Sequence, residues 1–88
     1  MNGLSLFANV GIAESYLAEV GVNIVVANEV LEERAHFYQD VYPECNVICG
    51  SILSQDVVEQ VISCSLEKNV EFIIATPPCQ GMSPAGKK

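Results

Sequence analysis

The sequence predicts an α/β fold built on a parallel sheet, and three features of its 88 residues support this. Four short runs of apolar and β-branched residues alternate with three longer segments that have helical spacing. Hydrophobic residues make up 50% of the chain and charged residues 17%, which is typical of strands buried on both faces. The connections between the segments are short. This βαβαβαβ order predicts helices on both faces of a partial doubly wound (Rossmann-like), three-layer sheet with the strand order 3-2-1-4.

The first predicted strand runs from Leu4 to Ala8 and is broken by Asn9 and Gly11. A helix follows, because apolar residues recur at i, i+3, i+4 and i+7. This predicted apolar stripe consists of Ala13, Tyr16, Leu17 and Val20. Gly21 suits the position just after the end of that helix, where a left-handed backbone conformation is common.

The second predicted strand is the β-branched run from Val22 to Ala27. The second helix then begins near Glu29 and ends before Pro43. Its helically spaced residues are Leu31, Ala35 and Tyr38. A third, short strand covers Asn46 to Cys49 and is closed by Gly50.

The third predicted helix has the clearest amphipathic pattern in the chain. Ser54 can cap its amino end, and it stops near Lys68 and Asn69. Its apolar stripe consists of Val57, Val58, Val61, Ile62 and Leu66. The fourth strand runs from Val70 to Ala75, and we expect it to be an exposed edge that can pair with another copy of the chain.

Composition excludes several classes of protein. The chain is at most one domain, and its low charge content excludes a disordered tail. Its apolar runs are far shorter than the roughly 20 residues of a membrane helix, and no secretory leader opens the sequence. We therefore expect a cytoplasmic protein that contacts no membrane. The net charge of −7 argues against this segment binding duplex DNA by itself.

The four cysteines are expected to be free thiols, because a cytosolic α/β protein rarely forms disulfides. Cys45 and Cys49 have a C-x3-C spacing, but no second pair of cysteine or histidine residues accompanies them. We therefore predict no metal site.

The segment from Ile73 to Gly81 joins the fourth strand to a rigid turn that presents Cys79. Pro77 and Pro78 fix φ at about −65° and lack N–H donors, so the strand must stop there. In open α/β sheets, ligands bind just beyond the carboxyl ends of the strands. The candidate site therefore comprises this thiol and the residues after the other three strands.

Several stretches of the sequence resemble motifs of the DNA (cytosine-5) methyltransferases. Pro77-Pro78-Cys79-Gln80-Gly81 is similar to motif IV, whose cysteine is the catalytic nucleophile. Leu6 to Gly11 is similar to motif I, usually Asp-Leu-Phe-Ala-Gly-x-Gly-Gly, which cradles S-adenosylmethionine. Three positions depart from motif I, where the aspartate, the first glycine and the last glycine are replaced by Ser5, Asn9 and Ile12.

The resemblance implies that S-adenosylmethionine binds at the strand ends. The glutamate that matches Glu29 binds the ribose hydroxyls in that family, although a carboxylate at this place would suit NAD equally. Gly50-Ser51-Ile52 resembles the family's Gly-Asp-Ile, so that Ser51 would accept a hydrogen bond from the adenine amino group and Ile52 would pack on the ring. The implied cofactor residues are Phe7, Ala8, Asn9, Gly11, Glu29, Ser51, Ile52 and Pro78.

The chemistry expected of Cys79 explains why a thiol is needed. Addition of its thiolate to C6 of cytosine makes C5 nucleophilic enough to take a methyl group, and elimination then restores the ring. The target base must first leave the duplex, because C6 is inaccessible within the stack. The residues that the resemblance places against DNA are Pro78, Gln80, Ser83 and Lys87.

The resemblance covers motifs I to IV in the family's order. We therefore expect residues 1–88 to be the amino-terminal part of a catalytic domain of restriction-modification type, without its target-recognition region or its ring-protonating glutamate, and inactive alone. Two other classes remain open. A nucleotide-binding oxidoreductase domain would share the fold and Glu29, and a non-catalytic, methyltransferase-like interaction module would explain the departures from motifs I and III.

Overall fold

The computed structural model describes residues 1–9 and 11–77. Strands and helices alternate along the chain, and all four strands are parallel in a single sheet of order β3-β2-β1-β4. The elements are β1 (Asn2–Leu6), α1 (Ile12–Glu19), β2 (Asn23–Glu29), α2 (Glu32–Val41), β3 (Asn46–Cys49), α3 (Gln55–Glu67) and β4 (Phe72–Ala75). The predicted α/β class and strand order are confirmed.

Each face of the sheet packs against a different set of helices, because neighbouring residues of a strand point to opposite faces. On one face Val26 belongs to a core cluster with Val57 and Val61 of α3. On the other face Ala27 belongs to a cluster with Tyr38 of α2 and Cys45. The three-layer arrangement is therefore confirmed, with α1 and α2 on one face and α3 on the other.

Helices α1 and α3 end in the same hydrogen-bonded motif. At the end of α1, Gly21 has a φ of 88° and donates its N–H to Ala18, while Val22 donates to Leu17. At the end of α3, Asn69 has a φ of 54°, and the equivalent bonds run from Asn69 to Leu66 and from Val70 to Ser65. These are the paired bonds of the Schellman motif, and they confirm both predicted helix ends.

The apolar stripe predicted for α1 is only partly buried. Ala13 and Leu17 are half-buried. Tyr16 is 69% exposed and Val20 74% exposed, whereas Glu14 is only 5% exposed. The prediction was wrong for Tyr16 and Val20 because spacing alone identifies a stripe without showing which side of the helix meets the sheet. The hydroxyl of Tyr38 donates a hydrogen bond to Glu14, which makes burial of that carboxylate tolerable.

Other differences from the predicted elements are smaller. Along α3, Val57 and Val61 are buried but Ile62 and Leu66 are exposed, so only part of the predicted stripe faces the core. Ser54 lies at the N-cap position, yet its side chain makes no capping hydrogen bond.

Some strand boundaries also differ from the predicted ones. β1 ends at Leu6, since Phe7 has a φ of 59° and leaves the extended conformation. β2 continues to Glu29, and β4 begins at Phe72. In the described part of the chain, no helix has the length and apolar character that crossing a membrane requires.

Candidate cofactor site

The candidate site lies at the carboxyl ends of β1, β2 and β3. Its first component is the β1 loop, defined here as Phe7 to Asn9 together with Gly11. Three of these residues have positive φ values, namely 59° at Phe7, 57° at Asn9 and 78° at Gly11. A left-handed conformation costs about 1–2 kcal/mol for most L-residues and less for asparagine, so groups outside the loop must stabilise it.

Hydrogen bonds from two neighbouring strands hold the β1 loop. Ala8 donates its N–H to the carbonyl of Asn28 in β2 over 3.0 Å. Thr76, which follows β4, donates its hydroxyl to the carbonyl of Phe7 over 3.0 Å and its N–H to Leu6 over 3.3 Å. The loop is therefore tied to β2 on one side and, on the other, to the strand end that leads towards Cys79.

Glu29 is the last residue of β2 and is only 4% exposed. Its Oε1 accepts the N–H of Asn9 at 2.7 Å, and its Oε2 accepts the N–H of Leu31 at 2.9 Å. A carboxylate has about four acceptor positions, so these two bonds leave about two of them unused. The residue predicted to bind ribose is thus held rigidly and joined to the β1 loop.

The end of β3 is fastened to the end of β2. Asn28 donates from Nδ2 to the carbonyls of Ile48 at 2.9 Å and Gly50 at 3.0 Å, and Gly50 donates its N–H to the carbonyl of Glu29 at 3.1 Å. Gly50 has a φ of 144°, and a Cβ there would lie 2.6 Å from Cγ2 of Val57. A glycine is therefore required where β3 turns towards α3.

Ser51 and Ile52 are partly engaged by the protein. The Oγ of Ser51 accepts the N–H of Leu53 at 3.1 Å, which leaves its hydroxyl able to donate one bond and accept another. Ile52 packs against the core cluster beneath α3. Two exposed apolar side chains were missed by the sequence analysis, Val30 after β2 and Leu53 after β3. Exposed apolar side chains at the strand ends, such as these two, can pack against a flat ring of a ligand.

A small cavity of about 170 Å³ lies between β1, β4 and the start of α1. It is lined by Ser5, Ala8, Asn9, Ile12, Ala13, Glu14, Ile74 and Thr76. Among the predicted cofactor residues that the structure describes, Ala8 and Asn9 alone line it. Ligand pockets usually have volumes of about 300–1,000 Å³, so this cavity can accommodate only one end of a molecule as large as adenosylmethionine.

A layer of side chains that the sequence did not predict supports the β1 loop. Tyr38 in α2 donates its hydroxyl to Oε2 of Glu14 over 2.8 Å, and Tyr42 donates to the carbonyl of Gly11 over 2.8 Å. Burial and the hydrogen bond to Glu14 raise the pKa of Tyr38 above its ordinary value. Burial likewise raises the pKa of Cys45 to about 11, so this thiol is neutral and inert.

Several predicted site residues fall outside the described part of the chain. They are Pro78, Cys79, Gln80, Ser83 and Lys87. Their roles stay predictions. Among the other cysteines, Cys45, Cys49 and Cys64 are free thiols.

Comparison with known proteins identifies the family. The family model described as C-5 cytosine-specific DNA methylase matches residues 1–88. The chain is 48% identical over 85 residues to Type II methyltransferase M1.HgaI of Avibacterium volantium, covering 97% of this chain and 24% of that protein.

It is also 24% identical over 88 residues to Type II methyltransferase M.XorII of Xanthomonas oryzae pv. oryzae (strain KACC10331 / KXO85), covering 98% of this chain and 20% of that protein. No solved structure matches. The chain thus spans about a quarter or less of the length of these relatives. Because the family model matches the whole sequence, the chain belongs to the C-5 cytosine-specific DNA methylase family.

Proposed function

We propose that residues 1–88 form the amino-terminal, cofactor-binding part of a DNA (cytosine-5) methyltransferase catalytic domain, of the restriction-modification type named in its relatives. The observation that carries this proposal is the buried carboxylate of Glu29, held by two backbone N–H groups beside the β1 loop in a chain of this family. The free acceptor positions on that carboxylate suit the two hydroxyls of a ribose.

The residues present fit S-adenosylmethionine. Glu29 would bind the ribose, and Ser51 would accept a hydrogen bond from the adenine amino group. The β1 loop would contact the methionine part of the molecule. Ile52, with the exposed Val30 and Leu53, offers apolar contacts for the adenine. When bound, adenosylmethionine supplies the methyl group.

Cys79 is the proposed nucleophile. Its thiolate would form a bond to C6 of a flipped cytosine, and this bond would break again when C5 loses its proton and the ring is restored. Pro78 would position the base beside the thiol, and Gln80, Ser83 and Lys87 would contact DNA. The hydrogen bonds of Thr76 support this assignment, since they tie the strand end before Cys79 to the β1 loop.

Two further parts of the proposal concern partners and location. DNA would be the substrate, although the net charge of −7 means that other parts of a complete enzyme supply most of the binding. DNA methylation and the free thiols of the described cysteines both fit the cytoplasm.

A titration of the chain with adenosylmethionine and separately with NAD tests the proposed function. We expect adenosylmethionine to bind weakly, because Ser5, Asn9 and Ile12 depart from motif I, and NAD not to bind. Binding of NAD in preference to adenosylmethionine would overturn the proposal in favour of an oxidoreductase domain. Binding of neither would favour the non-catalytic interaction module.

A further inference from the structure

The start of α1 is enclosed by two tyrosines of the α2 segment, Tyr38 and Tyr42. Their ring centroids are 4.8 Å apart, and the rings are tilted by 43°. A Cβ on Gly11 would lie 2.7 Å from Cε2 of Tyr42 and 2.9 Å from Cε2 of Tyr38. The aromatic rings therefore pack directly on the backbone of the residue that ends the β1 loop.

Each tyrosine also donates one hydrogen bond to this region. The hydroxyl of Tyr42 reaches the carbonyl of Gly11 over 2.8 Å, across 31 residues of sequence. The hydroxyl of Tyr38 reaches the buried carboxylate of Glu14 over 2.8 Å. Burial, and then the nearby Glu14 carboxylate, raise the pKa of Tyr42, so its hydroxyl remains a donor throughout the neutral range. The first turn of α1 is thus attached to α2 at two points.

We propose that Tyr42 is a positioning residue for the adenosylmethionine site, whose hydroxyl holds Gly11 so that the β1 loop keeps the conformation in which Asn9 meets Glu29. This inference rests on the proposed function. It adds to that function a residue that lies at the C-cap of α2 and would not touch the ligand.

The physical argument starts from the composition of the β1 loop. Phe7 adopts a positive φ at the cost usual for a residue other than glycine, and Asn9 does so at a lower cost, so the local sequence favours this conformation only weakly. One hydrogen bond lies within the loop, from the N–H of Gly11 to the carbonyl of Ala8 at 3.0 Å. The others come from outside, where Asn28, Glu29 and Thr76 hold the first residues of the loop. Tyr42 alone among the described side chains donates to its last residue.

Removing that last bond should leave the loop less ordered before ligand binding. Binding would then have to select the ordered fraction, which lowers the apparent affinity in proportion to that fraction. Tyr42→Phe isolates this effect, because the ring that packs on Tyr38 and Gly11 remains and only the hydroxyl is lost.

The experiment compares Tyr42→Phe with Tyr16→Phe in the same chain. Tyr16 lies on the exposed face of α1, so its variant controls for loss of a tyrosine hydroxyl. Adenosylmethionine affinity is measured by calorimetry, amide hydrogen exchange at Asn9 and Gly11 by NMR, and stability by urea unfolding. We expect Tyr42→Phe to bind about three- to tenfold more weakly, the effect of one neutral hydrogen bond, with faster exchange at both amides. Tyr16→Phe should match the unaltered chain.

The two possible failures can be told apart. If the unaltered chain binds adenosylmethionine and Tyr42→Phe binds equally well, the positioning role is wrong while the proposed function stands. If Tyr42→Phe has a lower unfolding free energy but the same affinity as the unaltered chain, Tyr42 has only a structural role and the inference is overturned. If the unaltered chain binds no adenosylmethionine, the proposed function fails and the inference fails with it.

Discussion

At the scale of single residues, Glu29 connects structure to the proposed function, because the carboxylate that fixes the β1 loop is also the group proposed to hold the ribose. Its two hydrogen bonds, from Asn9 and Leu31, are charge-assisted and therefore stronger than bonds between neutral groups. The ligand would meet an acceptor whose position is already fixed. Little ordering is then required on binding, which favours affinity.

We predict that Glu29→Ala weakens adenosylmethionine binding by about 1–3 kcal/mol, the range for hydrogen bonds to a charged group. Glu29→Gln is the matched control for shape, since it keeps one carbonyl acceptor but loses the charge, and we expect an intermediate affinity. Calorimetry on the three proteins makes the comparison. Equal affinity of Glu29→Ala and the unaltered chain would remove Glu29 from the site.

The buried thiol of Cys45 predicts a loss of stability at alkaline pH. The ordinary pKa is 9.0, and burial raises the pKa of Cys45 to about 11 in the folded chain. Between these values the unfolded chain binds fewer protons than the folded one, so the free energy of unfolding falls as pH rises. The stabilisation is fully present below pH 9.0 and is lost by about pH 11, a change of about 1–3 kcal/mol.

Urea unfolding between pH 8 and pH 11 measures this effect. In Cys45→Ala, the part of the decrease in unfolding free energy that is due to the Cys45 thiol should disappear. Cys49→Ala, which removes an exposed thiol, should still show that decrease. Tyr38, whose pKa is also raised, adds a further fall above pH 10.0 in all three proteins. Identical pH profiles for Cys45→Ala and the unaltered chain would contradict the prediction.

At the scale of secondary-structure elements, the attachment of α1 to α2 depends on the absence of a side chain at Gly11. We predict that Gly11→Ala destabilises the chain by about 1–3 kcal/mol more than Gly21→Ala. Both glycines have positive φ, so both variants are strained in the backbone. Only at Gly11 would the new Cβ also collide with the rings of Tyr38 and Tyr42, since nothing lies within 4 Å of it at Gly21.

Denaturant unfolding of the two variants separates the contact with the tyrosines from backbone strain. Equal losses of stability would mean that the tyrosine rings move aside at little cost. The two rings would then restrain the β1 loop only weakly, and their packing on Gly11 would contribute nothing measurable to the free energy of unfolding.

At the scale of the whole molecule, β4 ends the sheet of the described residues with an unpaired edge. Ile73 in this strand is 62% exposed. An exposed apolar edge strand favours pairing with another chain. We therefore predict self-association at micromolar concentration and its suppression by Ile73→Lys, observed by sedimentation. Ile62→Lys, at an exposed position on α3, is the control and should still associate. A monomeric unaltered chain would show that the edge is not used.

Catalysis also depends on the whole molecule. We predict that residues 1–88 alone transfer no methyl group to DNA. The general acid implied by the family is expected outside these residues, and loss of such an acid typically costs about 10²–10⁴-fold in rate. The net charge of −7 further opposes DNA binding. Incubation with labelled adenosylmethionine and cytosine-containing DNA tests this, with Cys79→Ala as control. If the unaltered chain incorporates label and Cys79→Ala does not, methyl transfer does not require the general acid or the additional DNA-binding regions.

The sequence alone determined the features that depend on local order. Alternating apolar runs and helical segments predicted the class, the strand order and the layers of the sheet, because short connections leave few ways to join parallel strands. Gly21 and Asn69 marked two helix ends, since these residues tolerate positive φ. The places of Glu29 and the β1 loop at the strand ends were also predicted from the sequence, because the carboxyl end of a parallel strand has a defined place in the fold.

Only the tertiary structure decided which side of α1 is buried and what holds the β1 loop. Burial of Glu14 depends on Tyr38, 24 residues away, and the conformation of Phe7 depends on Thr76, 69 residues away. Local patterns carry no information about such partners, because spacing within a helix repeats every few residues while these contacts form between elements brought together by the sheet. For that reason two residues of a well-spaced apolar stripe, Tyr16 and Val20, are exposed, and Glu14 is part of the interior.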